Sequence, residues 1–218
     1  MREAIRSLNP ECVVDLHNTS GSGPAFAVTT NPDLAHQNLA SFFVRRMIMT
    51  GIRLGALMEM DFGCPIVTIE CGGASDDEAD IIAFEGLRSL LKAKTIEGGK
   101  HEGRVEILDH PMRVEIHPEV SLVYSEEQVP GAAVTIRADI EHCNTGVTEA
   151  GTMLGWVTNG GLDNFTVREE GGDRITNDII AVEGGALITQ RDLRIFMATT
   201  REDIAHEDCL FYVVPVAA

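Results

Sequence analysis

Two short segments of the sequence end apolar runs on side chains that can handle protons and metal ions. Cys12-Val13-Val14-Asp15-Leu16-His17 closes on an imidazole, and Pro65-Ile66-Val67-Thr68-Ile69-Glu70 closes on a carboxyl; each leads into a glycine-containing turn. A nearly continuous apolar run of this length reads as a strand buried on both faces. In open α/β sheets the ligand crevice lies beyond the carboxyl ends of the strands, so His17 and Glu70 are expected to point into one cavity. Such a pair has a definite chemistry: imidazole ligates metal ions, and a carboxylate beside a metal-bound water is the usual general base of zinc hydrolases. Taken singly, each is equally an ordinary polar strand terminus.

The elements that must carry these groups follow from pattern. Residues 2–8 read as helix, ended by Asn9-Pro10 because the residue before proline is pushed out of the α region. Residues 18–24 (Asn-Thr-Ser-Gly-Ser-Gly-Pro) read as loop. A helix is expected from Asn31-Pro32-Asp33 to about Met49, closed by Gly51, with Leu34, Leu39, Phe42, Phe43 and Met47 toward the core. A second is expected over 76–93, with Ser75 and Glu78 spaced as a capping box and Ile81, Ile82, Phe84, Leu87, Leu90 and Leu91 as its apolar face.

At Glu97-Gly98-Gly99-Lys100-His101-Glu102-Gly103 the composition turns polar and glycine-rich, and the helical period disappears. Short strand candidates follow at 105–108, 114–117, 122–124, 133–136, 153–157, 179–182, 186–188 and 210–214. The expected organisation is therefore an α/β front, residues 1–97, followed by an all-β C-terminal domain, residues 98–218.

Composition narrows the function. The 218 residues carry 17 Lys and Arg against 34 Asp and Glu, a formal net charge of −17, which repels phosphate backbones and anionic headgroups. No nucleic acid and no membrane is expected as partner, and no apolar run approaches the roughly 20 residues that span a bilayer. Five cysteines without a C-x-x-C pair, and no secretory signal at the start, fit reduced thiols in a cytoplasmic protein.

Other candidates lead to structure rather than chemistry. Thr19-Ser20-Gly21-Ser22-Gly23 fits neither the P-loop nor the dinucleotide pattern, and neither Ser20 nor Ser22 has glycine two residues away on either side, as a nucleophile elbow needs. Cys71 beside Glu70 reads as a small buried hydrophobe with a raised pKa. His142, near Asn144, is expected to be a hydrogen-bonded structural histidine, Trp156 part of the core, and the run Arg168 to Arg174 a solvated turn.

Asp15-Leu16-His17-Asn18-Thr19-Ser20 resembles the D-L-H-N-[TS] segment of the succinylglutamate desuccinylase/aspartoacylase family, relatives of the zinc carboxypeptidases, and Thr68-Ile69-Glu70-Cys71-Gly72-Gly73 resembles that family's later strand. The similarity continues in order through Glu141 to Gly146, Gly151-Thr152 with Gly155-Trp156, and Met197 to Thr200 leading to Asp208-Cys209-Leu210. The resemblance implies a front built as part of a zinc-carboxypeptidase-like mixed sheet with flanking helices. It makes His17 a zinc ligand, Asp15 on the same face a carboxylate supporting it, and Asn18 a substrate contact. Glu70 would take a proton from zinc-bound water and pass it to the amine leaving an N-acyl amino acid. Zinc would lower the pKa of that water toward about 7 and polarise the amide carbonyl.

The sequence also departs from the family. Its first two zinc ligands, a His and a Glu three residues later, are expected to be missing, since no H-x-x-E occurs in the sequence. With one ligand of three, the chain alone should hold zinc weakly. No arginine lies between Leu57 and Cys64, where members that take acidic amino acids carry one, and only Tyr124 and Tyr212 could stand for a late tyrosine of some members. A less acidic N-acyl amino acid, a small peptide or another amide fits as well as an acidic one. The expected function is a zinc-dependent amide hydrolase present as its C-terminal portion. The alternatives are a subunit completed by another chain, or a non-catalytic binding protein that kept the scaffold. Loss of neighbouring strands would leave a sheet edge open, so self-association into a homo-oligomer is also expected.

Overall fold

The computed structural model describes residues 2–53, 55–97 and 105–216. They gather into two compact units, one of residues 1–19 and 24–110 and one of residues 20–23 and 111–218.

In the first unit, β1 (Val13–Thr19), β2 (Phe26–Thr29), β3 (Arg46–Met49), β4 (Ile66–Gly73) and β5 (Glu106–Asp109) form a mixed sheet in the order β1-β4-β2-β3-β5. β4 runs parallel to β1 and antiparallel to β2, while β3 runs parallel to both β2 and β5. All eight residues of β4 are buried, as its unbroken apolar run requires, and β1 is the terminal strand. Three helices accompany the sheet: α1 (Arg2–Ser7), α2 (Leu34–Ala40) and α3 (Asp77–Lys92). The core gathers Ala27, Leu39, Phe42, Met47, Val67 and Ile69, with Ile82, Ala83 and Leu90 of α3 packed against it. Gly86 is required there, because a Cβ at this position would overlap the Phe43 ring.

Three expectations for this unit are corrected. The helix expected over 31–49 stops at Ala40, and its tail is β3. Residues 40–44 are all buried, a run that one face of a helix cannot supply, whereas a strand between β2 and β5 can follow it. Asp33, not proline geometry, starts α2 by accepting the His36 N–H at 3.0 Å, and Leu34 faces solvent. Nor is Ser75 the cap of α3: Asp76 occupies that position and its side chain turns back to accept the Gly73 N–H at 2.7 Å. The expected apolar face of α3 divides, since Ile81, Phe84, Leu87 and Leu91 are exposed.

The segment expected to link front and back lies outside the described residues from 98 to 104. β5, the next element in the chain, completes the first sheet by pairing with β3. Residues 18 and 19, read as loop, extend β1.

The second unit holds β6 (Met112–Ile116), β7 (Leu122–Ser125), β8 (Val134–Arg137), β9 (Met153–Val157), β10 (Phe165–Val167), β11 (Ile180–Glu183), β12 (Ala186–Thr189), β13 (Leu193–Phe196) and β14 (Phe211–Pro215). They build a four-stranded antiparallel sheet, β10-β6-β14-β13, and a five-stranded sheet, β11-β12-β9-β8-β7, whose β7 and β8 are parallel. Its core is Val114, Leu154, Phe165, Leu187, Phe211 and Val213, and Gly155 lets β9 lie against the Thr135 carbonyl of β8. The unit is β-rich rather than all-β, for it includes α4 (Thr176–Ile179) and α5 (Glu202–Glu207). In α5 two acidic residues fill the first turn, where the free N–H groups favour them, and Ala205 is buried.

Candidate active site

β1 and β4 run in parallel register with Asp15 opposite Thr68 and His17 opposite Glu70. Asp15 and His17, two residues apart, therefore share one face of the strand. The His17 Nε2 lies 3.0 Å from Asp15 Oδ1, and its Nδ1 lies 3.9 Å from Glu70 Oε1. Exposure is graded across the three: the His17 side chain is 50 % exposed, Asp15 26 % and Glu70 11 %. The imidazole thus stands at the surface while the carboxylate of Glu70 sits below it.

Burial raises the Glu70 pKa above the usual carboxylate range; His17 acts against that shift and Asp15 adds to it. No hydrogen bond among the described residues ties this carboxylate down. The neighbouring Cys71 thiol is pushed up to about 11, first by burial and then by the charges of Glu70 and Asp80. The thiol is buried, as its sequence context suggested.

The register slips between His17 and Thr19, and Asn18 occupies the irregularity. Its Nδ2 donates to the Gly72 carbonyl at 3.3 Å. Gly72 has a φ of 118°, open to glycine and strained for other residues, so the turn after Glu70 depends on this residue. Nothing in the sequence pattern singled out the Gly72 carbonyl as the partner that orients Asn18.

The structure places His17, Glu70, Asp15 and Asn18 on two adjacent strand ends. Among the described residues, no group of three or more His, Cys, Asp and Glu side chains could hold a metal ion. His36 is bonded to Asp33, its Nδ1 2.7 Å from Oδ1, and His101 lies outside the described residues. In the second unit His142 is exposed, and the buried polar residue of its segment is Asn144; Trp156, read as core, is only partly buried. No described helix is long and apolar enough to cross a membrane.

No family model and no curated protein sequence matches the chain. Solved structures do. A succinylglutamate desuccinylase/aspartoacylase from Rhodobacter sphaeroides superposes with a TM-score of 0.53 at 13 % identity, covering 99 % of this chain and 62 % of that one. The chain has the fold of the succinylglutamate desuccinylase/aspartoacylase structures. A second such structure, a putative succinylglutamate desuccinylase/aspartoacylase from Shewanella frigidimarina NCIMB 400, gives 0.50 at 11 % identity, over 96 % of this chain and 55 % of that chain. The chain therefore spans about three fifths of the length of the structures that share its fold. That fold is mixed α/β with several sheets, and His17 and Glu70 sit on adjacent strands of one of them.

Proposed function

We propose that this chain is part of a zinc-dependent hydrolase of the succinylglutamate desuccinylase/aspartoacylase family that cleaves the amide bond of an N-acyl amino acid or a related small amide. The observation that carries the reading is the His17–Glu70 pair, 3.9 Å apart on adjacent strands, with Asp15 against the far nitrogen of the imidazole. A zinc ion bound there would lower the pKa of a water and polarise the amide carbonyl.

The residues fit one corner of such a centre. His17 Nε2 lies 3.0 Å from Asp15 Oδ1, so a proton held on Nε2 would leave the Nδ1 lone pair free to ligate, with a carboxylate behind a metal-binding histidine. No group of three ligands occurs among the described side chains, so His17 would hold the ion together with ligands from outside them. Glu70 is the base. Burial without hydrogen-bond donors makes its carboxylate more basic than an exposed one, which suits it to accept a proton from water and then release it to the departing amine. Asn18, oriented by Gly72, keeps its Oδ1 available to a substrate N–H.

The test compares the chain with the chain extended by the part of the Rhodobacter sphaeroides protein that it does not cover, each with and without Glu70→Gln. Hydrolysis of a panel of N-acetyl and N-succinyl amino acids is followed with added Zn2+. The extended chain should hydrolyse a panel member, the Gln variant should not, and both should take up zinc. Equal hydrolysis with and without Glu70 would sink the assignment. Panel binding with no turnover in either form would favour a binding protein that kept only the scaffold.

A further inference from the structure

Helix α3 uses only one of its sides inside the first unit. Ile82, Ala83 and Leu90 pack on the core, and Gly86 lies against the Phe43 ring. Rolling the helix about its axis would drive a larger side chain into that ring, so the opposite face is fixed outward. That face carries Ile81, Phe84, Leu87 and Leu91, of which Phe84 is 65 % and Leu91 84 % exposed. Steps of three, three and four residues make them one continuous seam, the spacing at which two helices pack together. The other large exposed apolar side chains, Leu8, Leu34, Ile107 and Val147, lie on four different segments. Single exposed leucines are ordinary on a protein surface, whereas a whole apolar stripe on one helix marks a surface that meets something. The exposed charges beside the seam are sorted by end. Asp77 and Asp80 lie in the first turn, Lys92 in the last, and Arg88, paired with Glu85 through its Nε at 3.1 Å, one turn before it. From start to finish the face is acidic, then apolar, then basic.

We infer that the outer face of α3 is a contact between two copies of this chain, the two helices packing antiparallel about a two-fold axis at the level of Gly86. A surface that runs from acidic to basic complements itself only when reversed, and a two-fold axis across the helix performs that reversal. The axis sets Ile81 against the second copy's Leu91, gathers Phe84 and Leu87 of both copies at the centre, and brings Asp80 beside the second copy's Lys92 at each end of the seam. A parallel pair would set acid on acid and base on base. Antiparallel packing also lays each helix N-terminus beside the other's C-terminus, so the two dipoles attract. The net charge of −17 opposes the association of any two copies, and the seam meets this locally by facing unlike ends together. One helix pair is smaller than the roughly 1,200–2,000 Å² of a standard interface, so the dimer is weak and forms as concentration rises. The contact is distinct from the open sheet edge at β1, where pairing would go through backbone groups and would not involve α3. It is also independent of the reaction proposed above.

The test follows the mass of the full chain by sedimentation equilibrium from about 1 μM to about 1 mM, a span wide enough for a weak interface. The mass should climb from monomer to dimer. Phe84→Ser and Leu91→Ser, both at exposed positions, should each raise the dissociation constant about tenfold or more while the circular dichroism stays the same. Asp80→Lys and Lys92→Asp should each raise it severalfold, and the two together should restore it, because the double exchange inverts both members of every pair. A chain that stays monomeric at the highest concentration would overturn the inference and leave the face to a different partner. A dimer indifferent to Phe84→Ser would overturn it too, by placing the contact elsewhere, the β1 edge included. Weakening by Phe84→Ser without rescue by the double exchange would overturn the antiparallel register.

Discussion

Glu70 and Glu141 are both acids tied to glycine-containing segments, and the protein treats them in opposite ways. Glu141 in the second unit receives three donors from Ser22 and Thr200, so its lone pairs are occupied by the backbone path it specifies. Glu70 in the first unit is more deeply buried and its side chain makes no hydrogen bond among the described residues; its Oε1 lies 3.9 Å from the His17 Nδ1. A desolvated carboxylate without donors is disfavoured as an anion, and its pKa rises accordingly. The contrast separates a carboxylate that builds from one that can react.

Removing each charge is the strongest way to break this comparison. In the extended, zinc-loaded chain, Glu70→Gln should lower kcat by about 10² to 10⁴, the range general acid–base catalysis contributes, whereas Glu141→Gln, a change within the second unit, should lower it far less. Steady-state kinetics on the best panel substrate distinguishes the two, and a larger loss from Glu141→Gln would reverse the roles.

A smaller effect is expected behind the imidazole. If Asp15 fixes the His17 tautomer, Asp15→Asn should weaken zinc binding by about 10- to 100-fold, as loss of a supporting carboxylate does elsewhere. Chelator competition measures it. An unchanged affinity would leave Asp15 as a surface acid that merely touches His17.

Stability should order the two regions the other way round. Asn144→Ala strands the Ser22 carbonyl together with the Ala198 N–H and carbonyl, a loss of roughly 1–3 kcal/mol in urea unfolding. Glu70→Gln should instead be neutral or stabilising in the metal-free chain, with a definite pH dependence. Because the folded pKa is raised, folded and unfolded chains are both protonated in acid and Glu70 costs nothing there; the cost appears as pH rises through the ordinary carboxylate value and is complete above the folded one. The Gln variant should gain on the unsubstituted chain over that rise and keep a constant lead beyond it. A lead that shrinks with rising pH would mean that Glu70 is stabilised as an anion.

How much of this was legible in the sequence depended on whether a segment's own pattern decides its fate. β4 was, because an unbroken apolar run ending in Glu70 has few alternatives to a central strand. The meeting of His17 and Glu70 followed from the strand-end rule and depends only on parallel register. β3 was not legible: Arg46–Met49 continues the period of a helix, and only its place between β2 and β5 makes it a strand. Pattern also misjudged α3, whose apolar residues go round the helix while Gly86 and Ala79 decide which side meets Phe43 and the sheet. The order of one loop could not be read at all. Ser20–Gly23 carries the composition of a free loop, and its order comes from Glu141 and Asn144, more than a hundred residues later.

The least effect, and the most local, concerns Cys71. Its thiol is pushed up to about 11, and burial is the main cause, with the charge of Glu70 second. At pH 9 only a small fraction is thiolate, so iodoacetamide should label the folded chain at Cys71 far more slowly than a free cysteine. Glu70→Gln removes the second cause and keeps the first. Labelling at Cys71 should therefore quicken, by less than about tenfold, since desolvation still opposes the thiolate. Glu141→Gln should leave it unchanged, because Glu141 is spent on Ser22 and Thr200 and does not act on Cys71. Equal acceleration by both substitutions would show that loosening, rather than charge, governs access to the thiol, and the distinction between the two carboxylates would lose its electrostatic half.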